Sequence, residues 1–582
     1  MVTYRNKAGF GIIVFNDPGS KVNVLSSKDI DDLKRILSRV IKGGAGMSGL
    51  FFISSKKDVF IAGADIKELA SIKNRRDALV FCAKGQAVFN MIEGLRMPTF
   101  AVLNGACIGG GLELALSCDN ILSTENKKIK IGFPEVKLEI SPGFGGVHRL
   151  KEKIGIKKAD RLLRTGRLLT AIEAKRTGIV DKIIPEELLK DYKKLLRCID
   201  RGKKDFPGPR QCLDKKEREI LAGKIIKEPA RNALNAFLLA GKYRDSVKYG
   251  GLTGFFKRCA VIGAGTMGRD ISYLVSSRAG LAVSTGDADK NILKDAKAYI
   301  KSLYNESVEK GIEDRDKASG RFKNISFSLA TLKNCDIVIE CVTEDLWAKK
   351  KLFSGIEREV NKDCVIATNT SCLSVSELGR SLARPERFIG THFFNPAYKM
   401  KLVEVTPAGF TDRAVTKRVV AFLRGAGRVP VVVKDSPGFL VNRMLLPYLN
   451  EAARMIEEGF LIKDIDSVML DFGMPVGPIK LINDIGLNVA YKACKILESK
   501  FKDRIRVPDI LKTWSGKKRI FSFSGKAVKK GAYRGIVNRL LKPMKTEAAL
   551  CLKEGVVDRR EVIDLALLLG AGFPASKRVW KI

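Results

Sequence analysis

Two glutamates and one histidine–glutamate pair carry the chemistry open to this chain. Glu113 lies at the end of Asn104-Gly-Ala-Cys-Ile-Gly-Gly-Gly-Leu-Glu-Leu114, and Glu135 ends Ile131-Gly-Phe-Pro-Glu135. Two carboxylates facing one pocket can add water across a conjugated double bond, one activating the water and the other protonating the α-carbon. A second turn rich in glycine and alanine, Phe60-Ile-Ala-Gly-Ala-Asp-Ile-Lys-Glu68, lies upstream. Glycines let the backbone approach a ligand and turn its N–H groups inward. One N–H from each turn can stabilise the oxyanion of a carbonyl that becomes an enolate. The candidate positions are Ile61, Ala62, Gly63, Ala64 and Gly110. His392, one of only two histidines, sits in Ile389-Gly-Thr-His-Phe-Phe-Asn-Pro396, and Glu404 follows 12 positions later. A histidine oriented by a carboxylate can take a proton from an alcohol. The glycine loop Val261-Ile-Gly-Ala-Gly-Thr-Met-Gly268 could hold the acceptor of the matching hydride.

These groups need elements to position them. Residues 1–190 alternate short apolar strands with helical patterns, for example Gly49-Leu-Phe-Phe-Ile-Ser54 and Thr99-Phe-Ala-Val-Leu103, with a helix around 83–93. Residues 191–256 are rich in lysine and arginine, are broken by Pro207, Pro209 and Pro229, and read as a helical linker without a core of its own. A strand at Lys257-Arg-Cys-Ala-Val-Ile262 opens an α/β domain over 257–436. Within it Gly263, Gly265 and Gly268 follow a strand and open a helix, with Thr266 and Met267 at the helix start. Asp287 lies 19 residues past Gly268, where a carboxylate binds ribose hydroxyls and repels a 2′-phosphate, so NAD is favoured over NADP. Asp289 is close enough to compete for that role. The rest is helical and repeats itself: Asn450-Glu-Ala-Ala-Arg-Met-Ile-Glu-Glu-Gly459 is echoed by Thr546-Glu-Ala-Ala-Leu-Cys-Leu-Lys-Glu-Gly555, and Phe472-Gly-Met-Pro475 by Gly570-Ala-Gly-Phe-Pro574. The expected domains are 437–535 and a second, truncated copy over 536–582.

At 582 residues the chain is too long for one core, and roughly three to five domains are expected. Apolar content of 45% and charged content of 29% exclude the disordered and fibrous classes. No apolar run reaches the roughly 18 residues of a membrane helix. Strand-like sequence begins by Tyr4, which leaves no room for a targeting peptide, and Val579-Trp-Lys-Ile582 is no peroxisomal signal, so a cytoplasmic location is expected. Twelve scattered cysteines without a C-x-x-C pair, and only two histidines, argue against a metal site or a disulfide framework. Lys and Arg outnumber Asp and Glu by 105 to 64, a net charge of +41. This excess is spread along the chain and reads first as a solvated surface. Attraction of coenzyme A or anionic lipid is the functional alternative, with peripheral membrane contact not favoured. The densest basic stretch, Ser515–Ile520 with Lys526, Lys529 and Lys530, lacks interleaved aromatics, so no nucleic-acid partner is expected.

Taken alone, His392 reads as a core residue and each glycine cluster as a structural turn. Together the motifs carry a resemblance that favours chemistry. Residues 22–181 resemble the crotonase superfamily, specifically enoyl-CoA hydratases, through Val22-Asn-Val-Leu25, both glycine turns, Glu135-Val-Lys-Leu138, Pro142-Gly-Phe-Gly-Gly146 and Gly178-Ile-Val-Asp181. Residues 257–574 resemble 3-hydroxyacyl-CoA dehydrogenases through Asp336-Ile-Val-Ile-Glu340, Thr368-Asn-Thr-Ser371, His392-Phe-Phe-Asn-Pro396 and Asp435-Ser-Pro-Gly-Phe-Leu-Val-Asn-Arg443. This likeness implies His392 as base with Glu404 orienting it. It also implies Ser371 and Asn442 holding the substrate's 3-oxygen and His392, and Glu344, Lys349 and Asn395 lining the nicotinamide cofactor. Three departures stand out. The loop near 125–128 is longer than usual, Glu139 stands where the family has glycine, and the second helical repeat stops early. His148 lies in a family turn where histidine is not required, and a structural role is expected.

The order, hydratase then dehydrogenase, resembles the multifunctional α-subunits of fatty-acid β-oxidation. The expected fold is α/β multidomain: a crotonase-like ββα spiral, a Rossmann NAD-binding domain and duplicated all-α dehydrogenase C-terminal domains. The expected substrates are acyl-CoA thioesters, with a thiolase as possible partner subunit. Two rivals are a first domain acting mainly as a Δ3,Δ2-enoyl-CoA isomerase, and a membrane-docked scaffold for thiolase. The presence of both Glu113 and Glu135 argues against the first, and complete residue sets at both centres argue against the decayed catalysis the second requires, though not against docking.

Overall fold

The computed structural model describes residues 2–43, 46–190, 194–195, 215–245, 256–310, 312–329, 332–517, 520 and 533–581. The chain divides into two compact units, Met1–Leu238 and Leu239–Ile582.

In the first unit the chain visits two sheets in turn. Strands Gly49–Ser54, Thr99–Leu103 and Asn120–Thr124 lie in a six-stranded sheet that also holds Val2–Lys7, Phe10–Phe15 and Lys182–Ile184. All its pairings are parallel except that of the first two strands. The three middle strands are mostly buried, which explains their near-continuous apolar sequence. Each is followed by a short strand, Val59–Ile61, Ala106–Ile108 or Ile131–Gly132, and these three form a separate parallel sheet. Helices then return the chain to the large sheet: Arg75–Glu93, Gly110–Leu116 and Gly146–Ile154. This is the expected ββα spiral. Its consequence is local: both glycine turns and Glu135 emerge from the carboxyl ends of neighbouring strands, which parallel pairing holds about 4.8 Å apart.

The segment expected to be a linker contributes to this unit. Helix Lys215–Ile225 buries Leu221, Ala222 and Ile225 against Leu69, Ala78 and Cys82. Its charged residues hide a short apolar stripe at i and i+4 spacing. Pro229 does not break a helix but sits in the first turn of Glu228–Asp245, where proline is tolerated. Pro207 and Pro209 lie outside the described residues.

The second unit holds an eight-stranded sheet. Its spatial order is Ile325–Ser326, Ala282–Gly286, Arg258–Ile262, Ile337–Glu340, Val365–Thr368, Phe388–Phe393, Leu402–Pro407 and Val429–Val432. Only the pairing of Phe388–Phe393 with Leu402–Pro407 is antiparallel. The chain starts centrally at Arg258–Ile262, builds outward on one side, then crosses to Ile337–Glu340 on the other. The glycine loop therefore opens at the switch point, where doubly wound sheets bind ligands.

Helices Val441–Glu457 and Tyr533–Lys553 carry the two copies of the repeat and share one core with the sheet. Each contains a proline three residues before the repeated stretch, Pro447 and Pro543. The second motif packs reciprocally. A Cβ on Gly473 would meet Pro574 at 3.1 Å and one on Gly572 would meet Pro475 at 2.5 Å, while Phe472 and Phe573 touch edge to face. The copies therefore pack against each other about a local two-fold. Among the described residues the first continues through helices Ile462–Phe472, Pro478–Ile485, Leu487–Phe501 and Asp509–Ser515 with the 3-10 turn Lys502–Arg504; the second adds Arg560–Gly570 and the 3-10 turn Val579–Lys581. Most of the dense basic stretch at 515–530 lies outside the described residues. Among the described residues no helix is long and apolar enough to cross a membrane.

Candidate active site

The first centre forms where the two glycine turns touch. A Cβ on Gly110 would lie 3.5 Å from the Ala64 nitrogen. Gly110 opens helix Gly110–Leu116, so its amide has no intrahelical acceptor. Among the described residues neither the Ala64 nor the Gly110 amide donates to the protein. The other three expected positions build the turn instead. Ala62 donates to the Asn23 carbonyl at 2.8 Å, the Gly63 carbonyl accepts from Leu25 at 2.8 Å, and a Cβ on Gly111 would overlap the Ile61 carbonyl.

Glu135 starts the 3-10 turn Glu135–Leu138, and its carboxylate reaches the place where the turns meet. Its Oε1 lies 2.6 Å from where a Cβ of Gly109 would stand, and its Oε2 is buried without a hydrogen-bond partner. Gly109 takes φ +54°, so its missing side chain leaves space that Glu135 uses. Glu113, buried on its helix, accepts from the Phe144 and Gly146 amides at 2.7 and 2.9 Å through Oε1. Burial pushes the Glu113 carboxyl up to about 7, with Glu135 adding to the rise and the two amides and Arg149 opposing it. Burial lifts Glu135 to about 8; a backbone hydrogen bond opposes the rise and Glu217 adds to it. Glu217 was not expected here. It comes from helix Lys215–Ile225, and its position four residues before Leu221, on the buried stripe, was the available signal. Glu139 adopts φ +57°, the left-handed conformation that a glycine would take without strain. His148 pairs with Glu152 on a helix surface and takes no part.

The second centre rests on strand register. His392 and Glu404 stand directly opposite in the antiparallel pair, and His392 Nδ1 lies 2.7 Å from Glu404 Oε2. The remaining oxygen, Oε1, accepts the Leu440 and Val441 amides at 3.1 and 2.8 Å, at the start of helix Val441–Glu457. Phe439, at φ +50°, helps shape the turn that presents them. The imidazole is flanked by Phe394 and Phe439, with ring centroids at 4.5 and 5.8 Å. From the same helix, the Asn442 side chain donates to the Ser371 carbonyl at 3.2 Å.

Glu344 organises the neighbouring turn. Its Oε1 accepts from the Thr370 hydroxyl, the Ser371 amide and hydroxyl, and the Cys372 amide, at 2.7–3.1 Å. Burial pushes its carboxyl up, but Lys349 and these bonds outweigh it and hold the group below its ordinary value. Lys349 is fully buried: its Nζ lies 2.5 Å from Glu340 and 3.6 Å from Glu344. Glu340 also accepts from Val342 N and the Thr368 hydroxyl, an anchor that the sequence reading left without a role. Asn395 is exposed just past the His392 strand.

The glycine loop fits a dinucleotide. A Cβ on Gly268 would overlap the Gly263 carbonyl, so helix and loop pack closely only without side chains. A Cβ on Gly265 would meet nothing within 4 Å, which leaves the backbone open to a pyrophosphate beside the exposed Thr266 and half-buried Met267. Asp287 follows directly after strand Ala282–Gly286 and accepts the Ala264 amide at 2.7 Å. Asp289 instead caps helix Lys290–Glu309.

Comparison with known proteins agrees with this division. Residues 5–203 match the enoyl-CoA hydratase/isomerase family, residues 258–436 the NAD binding domain of 3-hydroxyacyl-CoA dehydrogenase, and residues 438–534 its C-terminal domain. Fold and site together define a two-centre enzyme, a crotonase-type hydratase joined to an NAD-binding dehydrogenase. Fatty acid oxidation complex subunit alpha of Shewanella frigidimarina is 31% identical over 653 aligned positions, covering 98% of this chain and 91% of that protein. The proteins of that name from Idiomarina loihiensis and Shewanella amazonensis are 31% and 32% identical, over 97% and 98% of this chain and 91% and 92% of theirs. The chain belongs to the family of fatty acid oxidation complex alpha subunits, enzymes that combine enoyl-CoA hydratase and 3-hydroxyacyl-CoA dehydrogenase domains.

Proposed function

We propose that the first centre hydrates trans-2-enoyl-CoA to (3S)-3-hydroxyacyl-CoA, and that the second oxidises this product to 3-ketoacyl-CoA with NAD⁺. The observation that carries the reading is a pair of carboxyls in unlike surroundings: Glu113 Oε1 accepts two backbone amides, while Glu135, at the meeting of the two glycine turns, has a buried Oε2 without a hydrogen-bond partner. The two amide donors favour the ionised form of Glu113, which takes a proton from water, and the unpartnered, desolvated carboxyl of Glu135 favours the protonated form, which delivers a proton to the α-carbon. The free Ala64 and Gly110 amides bind the thioester oxygen as negative charge develops there. An isomerase needs only one proton carrier, so two poised carboxyls favour hydration.

At the second centre, His392 Nε2 takes the proton of the 3-hydroxyl while Glu404 holds Nδ1 and stabilises the imidazolium. Ser371 and Asn442 hold the substrate's 3-oxygen and the base in register, and Glu344, Lys349 and Asn395 line the nicotinamide end of the cofactor site. NAD⁺, when bound, supplies the hydride acceptor. Gly263, Gly265, Thr266, Met267 and Gly268 hold its pyrophosphate, and Asp287, tied to the loop through Ala264, favours NAD⁺ over NADP⁺. The 3-ketoacyl-CoA product is a thiolase substrate, which makes a thiolase the expected partner.

The test is one coupled assay with two variants. Glu135→Gln should lose hydration by about 10²–10⁴-fold and still oxidise supplied (3S)-3-hydroxyacyl-CoA. His392→Gln should show the reverse, with hydration intact and NADH formation lost. Normal hydration by Glu135→Gln, or normal NAD⁺ reduction by His392→Gln, would refute the corresponding half.

A further inference from the structure

Glu217 is a third carboxylate at the hydratase centre, and the mechanism above gives it no part. It is 3% exposed, and its Oε1 accepts the Gly145 amide at 2.8 Å. That amide lies between those of Phe144 and Gly146, which both go to Glu113 Oε1. Three successive amides are thus shared between two carboxylates arriving from helices more than a hundred residues apart in sequence. The turn is gripped from other sides as well. Gln86 Nε2 donates to the Gly143 carbonyl at 3.1 Å, and Arg149 Nη1 donates to the Phe144 carbonyl at 2.7 Å. A Cβ on Gly143 would overlap Leu221, one helical turn after Glu217, so this helix lies directly on the loop.

We propose that Glu217 is a positioning residue of the hydratase centre: by clamping the Gly145 amide it fixes the Phe144–Gly146 turn and thereby the orientation of Glu113. The proposal rests on the hydratase reading above. A buried amide must find an acceptor. Without Glu217 the Gly145 amide would turn toward another one, and the turn is too short for its neighbours to stay in place. A negative charge on the same carboxylate also opposes ionisation of Glu135, adding to the rise that burial causes. The other titratable and charged groups around it are Cys82 on helix Arg75–Glu93, Glu113, Arg149 on helix Gly146–Ile154, and Arg218 on its own helix. Glu219, on the same helix, is half-exposed and pairs with Arg75.

The experiment compares Glu217→Ala and Glu217→Gln in the full chain, measuring hydration across pH and oxidation of supplied (3S)-3-hydroxyacyl-CoA. Glu217→Ala should lower kcat of hydration by about 10²-fold through misplacement of Glu113, with KM changed by less than about threefold. Glu217→Gln, whose side-chain oxygen can still accept from Gly145, should recover most of kcat. The alkaline limb of its pH–rate profile should move to lower pH, because without the neighbouring charge Glu135 loses its proton earlier. Oxidation should be unchanged in both. If Glu217→Ala also loses oxidation, the fold has failed and the Gln variant decides. A Glu217→Ala chain hydrating within about threefold of wild type, or a Gln variant whose alkaline limb stays in place, overturns the proposal. Failure of the underlying reading shows elsewhere, as normal hydration by Glu135→Gln.

Discussion

Replacing Glu404 by glutamine tests whether the second centre works by fixing the tautomer of His392. Glu404 has no exposed surface, and both its oxygens are used: Oε2 toward His392 Nδ1 at 2.7 Å, Oε1 toward the Leu440 and Val441 amides. Glutamine has nearly the same shape but only one accepting atom. If its carbonyl meets the two amides, its NH₂ points at Nδ1. Nδ1 must then accept, the imidazole proton moves to Nε2, and Nε2 can no longer take a proton from a hydroxyl. The opposite flip would leave two buried amides facing an NH₂, at about 1–3 kcal/mol for each unsatisfied donor. The wrong tautomer is therefore the preferred state. Turning the ring over offers no escape, since a flip would put a carbon in place of Nδ1 opposite residue 404. Loss of the base should cost about 10²–10⁴ in kcat, or about 3–5 kcal/mol of barrier. The assay is NADH formation from (3S)-3-hydroxyacyl-CoA, with hydration by the same chain as the control for folding. A Glu404→Gln chain oxidising within about threefold of wild type would refute the tautomer argument.

Hydration should follow a bell-shaped pH profile. Its acid limb reflects protonation of Glu113 near 7, its alkaline limb ionisation of Glu135 near 8, and a rate flat across both values would exclude these roles. Gly268→Ala places a Cβ on the Gly263 carbonyl and should weaken NAD⁺ binding by at least about tenfold while leaving hydration intact, as titration of cofactor binding would show. The net charge of +41 should not produce salt-sensitive co-sedimentation with anionic vesicles, and sedimentation reversed by salt would instead assign the basic surface a docking role.

Much of this was legible in the sequence because it depends on local rules. The alternation of short apolar strands with helical stretches marks an α/β unit, the resemblance to enoyl-CoA hydratases makes it a ββα spiral, and the glycine spacing after Arg258–Ile262 leads to the switch point of the doubly wound sheet. The interval of 12 from His392 to Glu404 becomes a cross-strand pair because both lie in antiparallel neighbours. The repeat was visible as letters, and its reciprocal glycine–proline packing explains why Gly473 and Gly572 recur in it. Glu139 looked like a departure that put the backbone in doubt. The structure keeps the left-handed turn and accepts a side chain there, with Glu139 exposed at φ +57°. The segment 191–256 was read poorly because its lysines and arginines dilute the few apolar positions that pack into the core, among them Leu221, Ala222, Ile225, Ala230 and Leu234, and composition alone cannot distinguish that from a solvated linker.

What stayed hidden is how the backbone divides the polar groups. Ala62 and Ala64 are equivalent as letters, yet the Ala62 amide is spent on Asn23, while the Ala64 amide donates to nothing among the described residues. Asp287 and Asp289 both sit at the right distance for a ribose, and only folding shows one joined to the glycine loop and the other used as a helix cap. Lys349 was expected at the cofactor, but Glu340 at the end of an apolar strand is what allows a lysine to be buried there at all. Glu217 follows the same logic. A carboxylate with no motif around it becomes part of the site because a buried turn has three amides in a row and Glu113 takes only two. Such residues are set by unsatisfied backbone donors and buried charges, which exist only once distant segments meet. They can be found by asking, for each buried amide and each buried charge near a reacting group, which side chain answers it.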